Sequence, residues 1–371
     1  MIRHFDGALM NAIALSSNLG VSGDTLRDIT TIAEENRTLA RGLRVFAVHF
    51  SFYIATLIGA IAQLPVALNL VFSIANGVLI ALLFIIGHDA GHNSFVPGAL
   101  WNRWLARIAF VPCVHGASLW RVVHNEQHHA RTNLKGVDGV WVPMSPEEYR
   151  RASAMRRLLE RVYRGAAGPI VYYYVVFWIH RVLFPLAPEV RKEWRRHLPD
   201  SAFAFVGLIL TLMVIAVSGK ALTPDRPLWL VFLTGWAIPF AVWNYLMGFT
   251  IYLNHTHPLI PWFDDEERWR QLRALAPDTA SIVMPVNLVP LYTKVMAHSS
   301  HHVQTRIPVY LLPEAEGELR KGYSRLLEYR LSVRAYRSIY KTCKLFDYKR
   351  MCWTGFDGVP TAWPLPSSSL P

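Results

Sequence analysis

The chain has 371 residues, 52% of them hydrophobic, with 38 Lys and Arg against 26 Asp and Glu for a formal net charge of +12. Three cysteines without paired spacing exclude a disulfide framework and a thiolate metal site. The apolar residues are too clustered for a soluble multidomain enzyme: no Lys, Arg, Asp or Glu occurs between Val45 and His88, between Ser201 and Gly219, or between Pro227 and Phe263.

The segment up to residue 44 is polar and lacks the basic–apolar–small pattern of a removable signal peptide. A membrane-crossing helix needs about 20 apolar residues. The first charge-free block therefore holds two, Val45–Leu64 and Val66–Gly87, broken at "QLP". Two more spans are expected at Ala202–Ser218 and Leu228–Leu253. "IAFVPCVHGASLW" (Ile108–Trp120) and "GPIVYYYVVFWIH" (Gly168–His180) are shorter and flanked by arginines, as expected of helices lying in the interface or dipping part-way in. The expected fold is an all-α membrane protein with two transmembrane hairpins and a cytoplasmic helical cap. It forms a single domain over residues 1–371, divided as 1–44, 45–87, 88–201, 202–253 and 254–371. Sixteen Lys and Arg lie between His88 and Ser201, in runs such as "RRASAMRR" and "RKEWRRH". The loops "QLP" and "GKALTPDRP" carry almost none. The positive-inside rule then places the long segment and both termini in the cytoplasm, where basic residues face anionic headgroups.

Ten of the 15 histidines fall in four short clusters. These are His88 and His92 in "GHDAGH"; His124, His128 and His129 in "HNEQHH"; His255 and His257 in "NHTHP"; and His298, His301 and His302 in "HSSHH". Residues three or four apart share a helix face. His88/His92, His124/His128 and His298/His302 are therefore expected to aim imidazoles at common points, and neutral imidazole suits iron, zinc or copper. Eight ligands exceed what one metal takes, and all-histidine ligation points to a pair of non-haem irons. At least one of His255 and His257 is expected to point into the same site, His255 being favoured, with capping of the helix before Pro258 as the alternative for one of them. Asn254, Asp89 and Glu126 are candidates for outer hydrogen bonds to ligand imidazoles, with solvated helix-end charges as the alternative for the two acids. His4, His49, His115, His180 and His197 read as ordinary histidines.

From about Leu82 onward the sequence resembles the integral-membrane fatty acid desaturases. "HDAGH" resembles the first histidine box of Δ12/ω-6 acyl-lipid desaturases, "HSSHH" their third box, "VDGVWVP" their "DEVFVP"-like stretch and "NHTHP" their "QHTHP". The tail "FDYKRMCWTGFDGVPT" resembles bacterial members. The second box departs from the family: HxxxHH here, HxxHH usually. The resemblance implies an O2-dependent enzyme that introduces a cis double bond into an acyl chain of a membrane lipid or acyl carrier. It further implies two iron ions held by the box histidines, and no catalytic residue beyond those ligands. Electrons would come from a separate ferredoxin- or cytochrome b5-type carrier, since no HPGG haem motif is present. The aromatic "VYYYVVFW" is a candidate wall for the acyl chain. A bacterial inner membrane is the expected location, and no nucleic-acid partner is expected. Related di-iron hydroxylases and carotenoid ketolases use similar boxes and are the neighbouring alternative. A membrane zinc protease would need HExxH, and a metal transporter would carry ligands in mid-span.

Overall fold

A computed structural model describes residues 21–183, 191 and 194–365. His4 and the side chain of His180 lie outside the described residues. The described chain is mostly helical. Four helices are long and apolar enough to cross a membrane: Leu39–Ile61, Val66–Gly91, Trp194–Leu222 and Leu228–His255. Each expected span is present, and three of the four run several residues further at one or both ends. The first begins at Leu39 because Thr38 caps it, its hydroxyl accepting the Arg41 N–H. The "QLP" break arises where Ala62 turns extended and Pro65 opens the next helix. Gly168–Ile179 is apolar but too short to cross. The expected helix over Ile108–Trp120 is instead interrupted: it ends at Phe110 and resumes at Ala117, with Pro112 and Gly116 in the gap.

The described residues divide into two compact units. One comprises Arg37–Val123 and Tyr173–Phe249 and contains the first three spans with most of the fourth. Bilayers provide no water for stray polar groups, so such groups must pair internally. Arg226, in the loop between the third and fourth spans, does this on a large scale. Its guanidinium donates to the carbonyls of Ala62 (3.2 Å) and Leu64 (2.9 Å) and to Asn69 Oδ1 (2.8 Å). Asn69 in turn donates to Gly59 O (2.8 Å), and Ser73 donates to Asn69 O and Thr234 O, each at 2.7 Å. The two hairpins are thus joined at their loops by hydrogen bonds as well as by apolar contact. Within the "VYYYVVFW" stretch, Tyr173 stacks on Phe177 (5.4 Å) and Trp178 Nε1 donates to Cys113 O (3.2 Å).

The second unit takes His124–Tyr172, Thr250 onward and the segment ending at Asn36. Besides helices it holds two small open sheets, minor additions to a mostly helical fold. Ser281–Val283 pairs in parallel with Glu328–Arg330, and Leu345–Asp347, Cys352–Thr354 and Pro360–Ala362 form an antiparallel meander. The meander lies in the tail singled out from the sequence. Its central strand is fully buried, with Trp353 Nε1 donating to Ile260 O (3.0 Å).

Arg226→Met would remove a donor from the Leu64 carbonyl, from Asn69 Oδ1 and from the Ala62 carbonyl, the last of which keeps Asn69 Nδ2 and Leu64 N. Each lost bond is worth about 1 kcal/mol, so a lower thermal midpoint is expected in lipid nanodiscs, with the histidine-cluster spectra of a metal-loaded sample unchanged below that midpoint. An unchanged midpoint would show that the clamp contributes nothing.

Candidate metal centre

The second histidine box sits on Val122–His129, wound as a π-helix. This resolves its extra residue. A π-turn aligns residues five apart, and such turns recur at functional sites. His124 therefore pairs with His129, their Nε2 atoms 3.0 Å apart, rather than with His128 as the α-helical spacing predicts. His301 Nε2 approaches the same point, 3.1 Å from His129 Nε2. The rotation turns His128 to a second point, where it meets His255 and His302 with ligand atoms mutually within 4.8 Å. His298 adjoins this second set through its Nε2, 2.9 Å from His255 Nε2. The third box thus splits between two foci: His301 at the first, His302 and His298 at the second.

Short-range chemistry fixes these rings. Asp138 Oδ1 accepts from His128 Nδ1 at 3.0 Å, which leaves His128 Nε2 as the lone-pair nitrogen facing the cluster. Asp138 is itself held by the backbone N–H groups of Asn133 (2.8 Å) and Val140 (2.9 Å). The "VDGVWVP" stretch that carries it contains Trp141 at φ 57°, a left-handed conformation costly for a bulky residue. Two contacts hold it there: Tyr172 stacks on the indole at 4.2 Å, and the fully buried Arg164 donates to the Trp141 carbonyl (3.0 Å). The third-box helix His298–Val303 has no side-chain cap of its own. Ser281 Oγ accepts from Ser299 N (2.9 Å) and Glu316 Oε2 from Ser300 N (3.0 Å) in its place. Burial pushes the Glu316 carboxyl up, against the pull of its Ser281 and Ser300 donors.

In the other unit, His88 and His92 occupy the last turn of the second span, ring centroids 4.8 Å apart, each edge-on to Trp120. A Cβ at Gly91 would overlap the Trp120 ring, so the glycine of "GHDAGH" is what admits the indole. Asp89 is buried and its Oδ1 lies 2.9 Å from His88 Nδ1, the outer contact expected of it. Glu126 is exposed on the outward side of its turn, where the charge is solvated, and is not placed against an imidazole. His257 is outside both histidine groups: its Nδ1 accepts from Leu259 N (3.2 Å) and its ring leans on Tyr329. His49 bonds back to Val45 O. His115 bonds to Cys113 O and Tyr173 Oη, and burial pushes it down to about 3. Both are ordinary structural histidines.

The residues of the clusters fit a metal ion. His302 Nε2, His255 Nδ1 and both amide atoms of Asn254 are buried without a hydrogen-bond partner among the described residues. Burial, reinforced by the neighbouring imidazoles His129, His298, His128 and His255, holds His302 well below the usual histidine range and so neutral, the form that binds metal. Buried donors this close to one another are the expected arrangement around a cation.

Four membrane-length helices and converging buried histidines define an integral membrane metalloprotein. The fatty acid desaturase family model matches residues 65–336, and the chain belongs to the fatty acid desaturase family: it is a fatty acid desaturase, an oxidoreductase. It is 27% identical over 307 residues to the sn-1 oleoyl-lipid 12-desaturase of Picosynechococcus sp., covering 79% of this chain and 82% of that one. It is 27% identical over 330 residues to the chloroplastic omega-6 fatty acid desaturase of Spinacia oleracea, covering 87% and 70%, and 29% identical over 267 residues to the sn-1 oleoyl-lipid 12-desaturase of Arthrospira platensis, covering 68% of each. These relatives are named for 12- or omega-6 desaturation of fatty acyl chains; protease and transporter readings are not favoured.

Asp138, Trp141, Arg164, Ser281 and Glu316 escaped the sequence analysis as individual residues. Only the first two sit in a segment it quoted. Losing a carboxylate behind a ligand imidazole typically weakens metal binding about 10–100-fold. Asp138→Ala should do so in a metal titration, with Asp138→Asn falling between it and the wild type; equal affinity in all three would remove the positioning role.

Proposed function

We propose that the protein inserts a cis double bond at the Δ12 position of an oleoyl-type chain carried by a membrane lipid, using O2 and a di-iron centre. The observation that carries this reading is the split of the box histidines into two adjacent foci, set beside relatives named for Δ12 or omega-6 desaturation. His124, His129 and His301 are proposed to hold one iron, and His128, His255 and His302, with His298 beside them, the other. His88 and His92 are proposed as further ligands on the strength of the "HDAGH" box. Asn254 and Asp89 are proposed to support ligands without binding metal, and no role in metal binding is proposed for His257.

A bound iron pair would supply the two-electron reduction of O2 that unactivated methylenes require and side chains cannot provide. The balance is one CH2–CH2 unit, one O2, two electrons and two protons going to one CH=CH unit and two waters. The electrons come from a separate carrier of ferredoxin or cytochrome b5 type. The protein's own part is placement. Asp138 keeps the His128 proton on Nδ1, Ser281 and Glu316 hold the first turn of the third box, and the Trp141–Arg164 contact keeps the Asp138 segment in register. Apolar burial at about 0.8 kcal/mol per CH2 is enough to hold an acyl chain without polar contacts. We place the boxes and termini on the cytoplasmic side of a bacterial inner membrane, following the distribution of Lys and Arg.

The test is a fatty-acid profile by gas chromatography–mass spectrometry, with double bonds located, from cells expressing the wild type, His128→Ala or His301→Ala. A new Δ12-unsaturated chain in the wild type alone is expected, with both variants still inserted in the membrane. A hydroxylated chain would assign the reaction to the sister hydroxylases, and turnover in either variant would overturn the ligand assignment.

A further inference from the structure

Helix Ala154–Tyr163, in the same unit as the second and third boxes, has its polarity reversed. A helix on a water-facing surface turns its apolar stripe inward. This one buries Glu160 and Tyr163, and Glu160 Oε1 pairs with the buried Arg164 at 3.0 Å. Its outward stripe is apolar: Met155 is 65% exposed, Leu158 56% and Val162 38%, spaced i, i+3 and i+7 along one face. Charge surrounds the stripe. Between Arg150 and Arg164 the sequence has six arginines and one glutamate. Arg157 donates to Ala152 O (2.8 Å) and Arg161 to Tyr149 Oη (2.7 Å), so both are oriented by neutral oxygens and keep their charge available. Arg151 is 80% exposed at the edge of its pair with Glu147, while Arg156, 44% exposed, reaches the buried Glu160 Oε2 at 3.4 Å.

We propose that this helix lies on an anionic lipid leaflet, with Met155, Leu158 and Val162 in the acyl boundary and the surrounding guanidinium groups on lipid phosphates. The pattern is that of an interfacial amphipathic helix, an apolar face with cations along its margins. Arginine's planar fork suits phosphate oxygens in pairs. The stripe contains no aromatic anchor of the kind that dominates protein–protein contacts, and three flexible aliphatic side chains need no shaped partner. Because the spans already hold the chain in the bilayer, the helix does not provide attachment. It makes the setting of the second-box unit depend on leaflet charge. The inference rests on membrane location alone and not on the iron assignment.

The experiment uses the full chain in nanodiscs of phosphatidylcholine, with and without phosphatidylglycerol. Leu158→Cys or Met155→Cys carries an environment-sensitive fluorophore; Cys113, Cys343 and Cys352 are buried and compete poorly for label. The expected result is a blue-shifted emission, quenched by lipids carrying a shallow nitroxide, in phosphatidylglycerol discs and much less in phosphatidylcholine alone. Removing a guanidinium from the margin, as in Arg151→Gln, should weaken docking about fivefold. A label that reports water in both lipids, quenching that is equal in both, or a blue shift that appears only on adding an acidic redox protein would overturn the proposal.

Discussion

The second-box unit crowds imidazoles at spacings that suit a shared cation. His129 Nε2 lies about 3 Å from both His124 Nε2 and His301 Nε2, and His128, His255, His298 and His302 gather beside them. Two neutral imidazoles can share one proton, but a cluster of this size leaves lone pairs facing lone pairs in a site where burial already penalises protonation. His302 shows the effect directly, held neutral by burial and by its neighbours. A divalent cation converts that cost into ligation.

The supporting elements follow from this constraint. Positioning several rings to within a fraction of an ångström needs rotamers locked from behind, and the structure supplies a distinct lock for each segment. Asp138 holds His128. Serine and glutamate side chains replace the missing cap of the third-box helix, and a buried arginine tethers the backbone of a strained tryptophan on the Asp138 segment. At the hairpin loops, Arg226 performs an analogous service with carbonyls that the bilayer could not satisfy.

The spans were readable because charge-free length is a one-dimensional property, and the histidine boxes because their spacing is local. What spacing could not convey was the winding of the helix beneath it. An α-helical reading of "HNEQHH" pairs His124 with His128; the π-turn pairs it with His129, and the extra residue of this box is taken up as a change of pitch. The same locality put Glu126 among the boxes in sequence with two readings open, and its exposed position agrees with the solvated one. Asp138, Ser281 and Glu316 reach their imidazoles and helix ends through tertiary folding, and nothing in a single sequence marks such meetings. The short sheets in the C-terminal half were missed for a related reason: three-residue strands carry too little periodicity to stand out.

The central claim is that two iron ions, rather than one metal of another kind, are held by these histidines. It is tested most directly by purifying the protein from cells grown on 57Fe and combining elemental analysis with Mössbauer spectroscopy. Two irons per chain with the signature of an exchange-coupled pair is the predicted result. One zinc per chain, or a single uncoupled iron, would contradict the account.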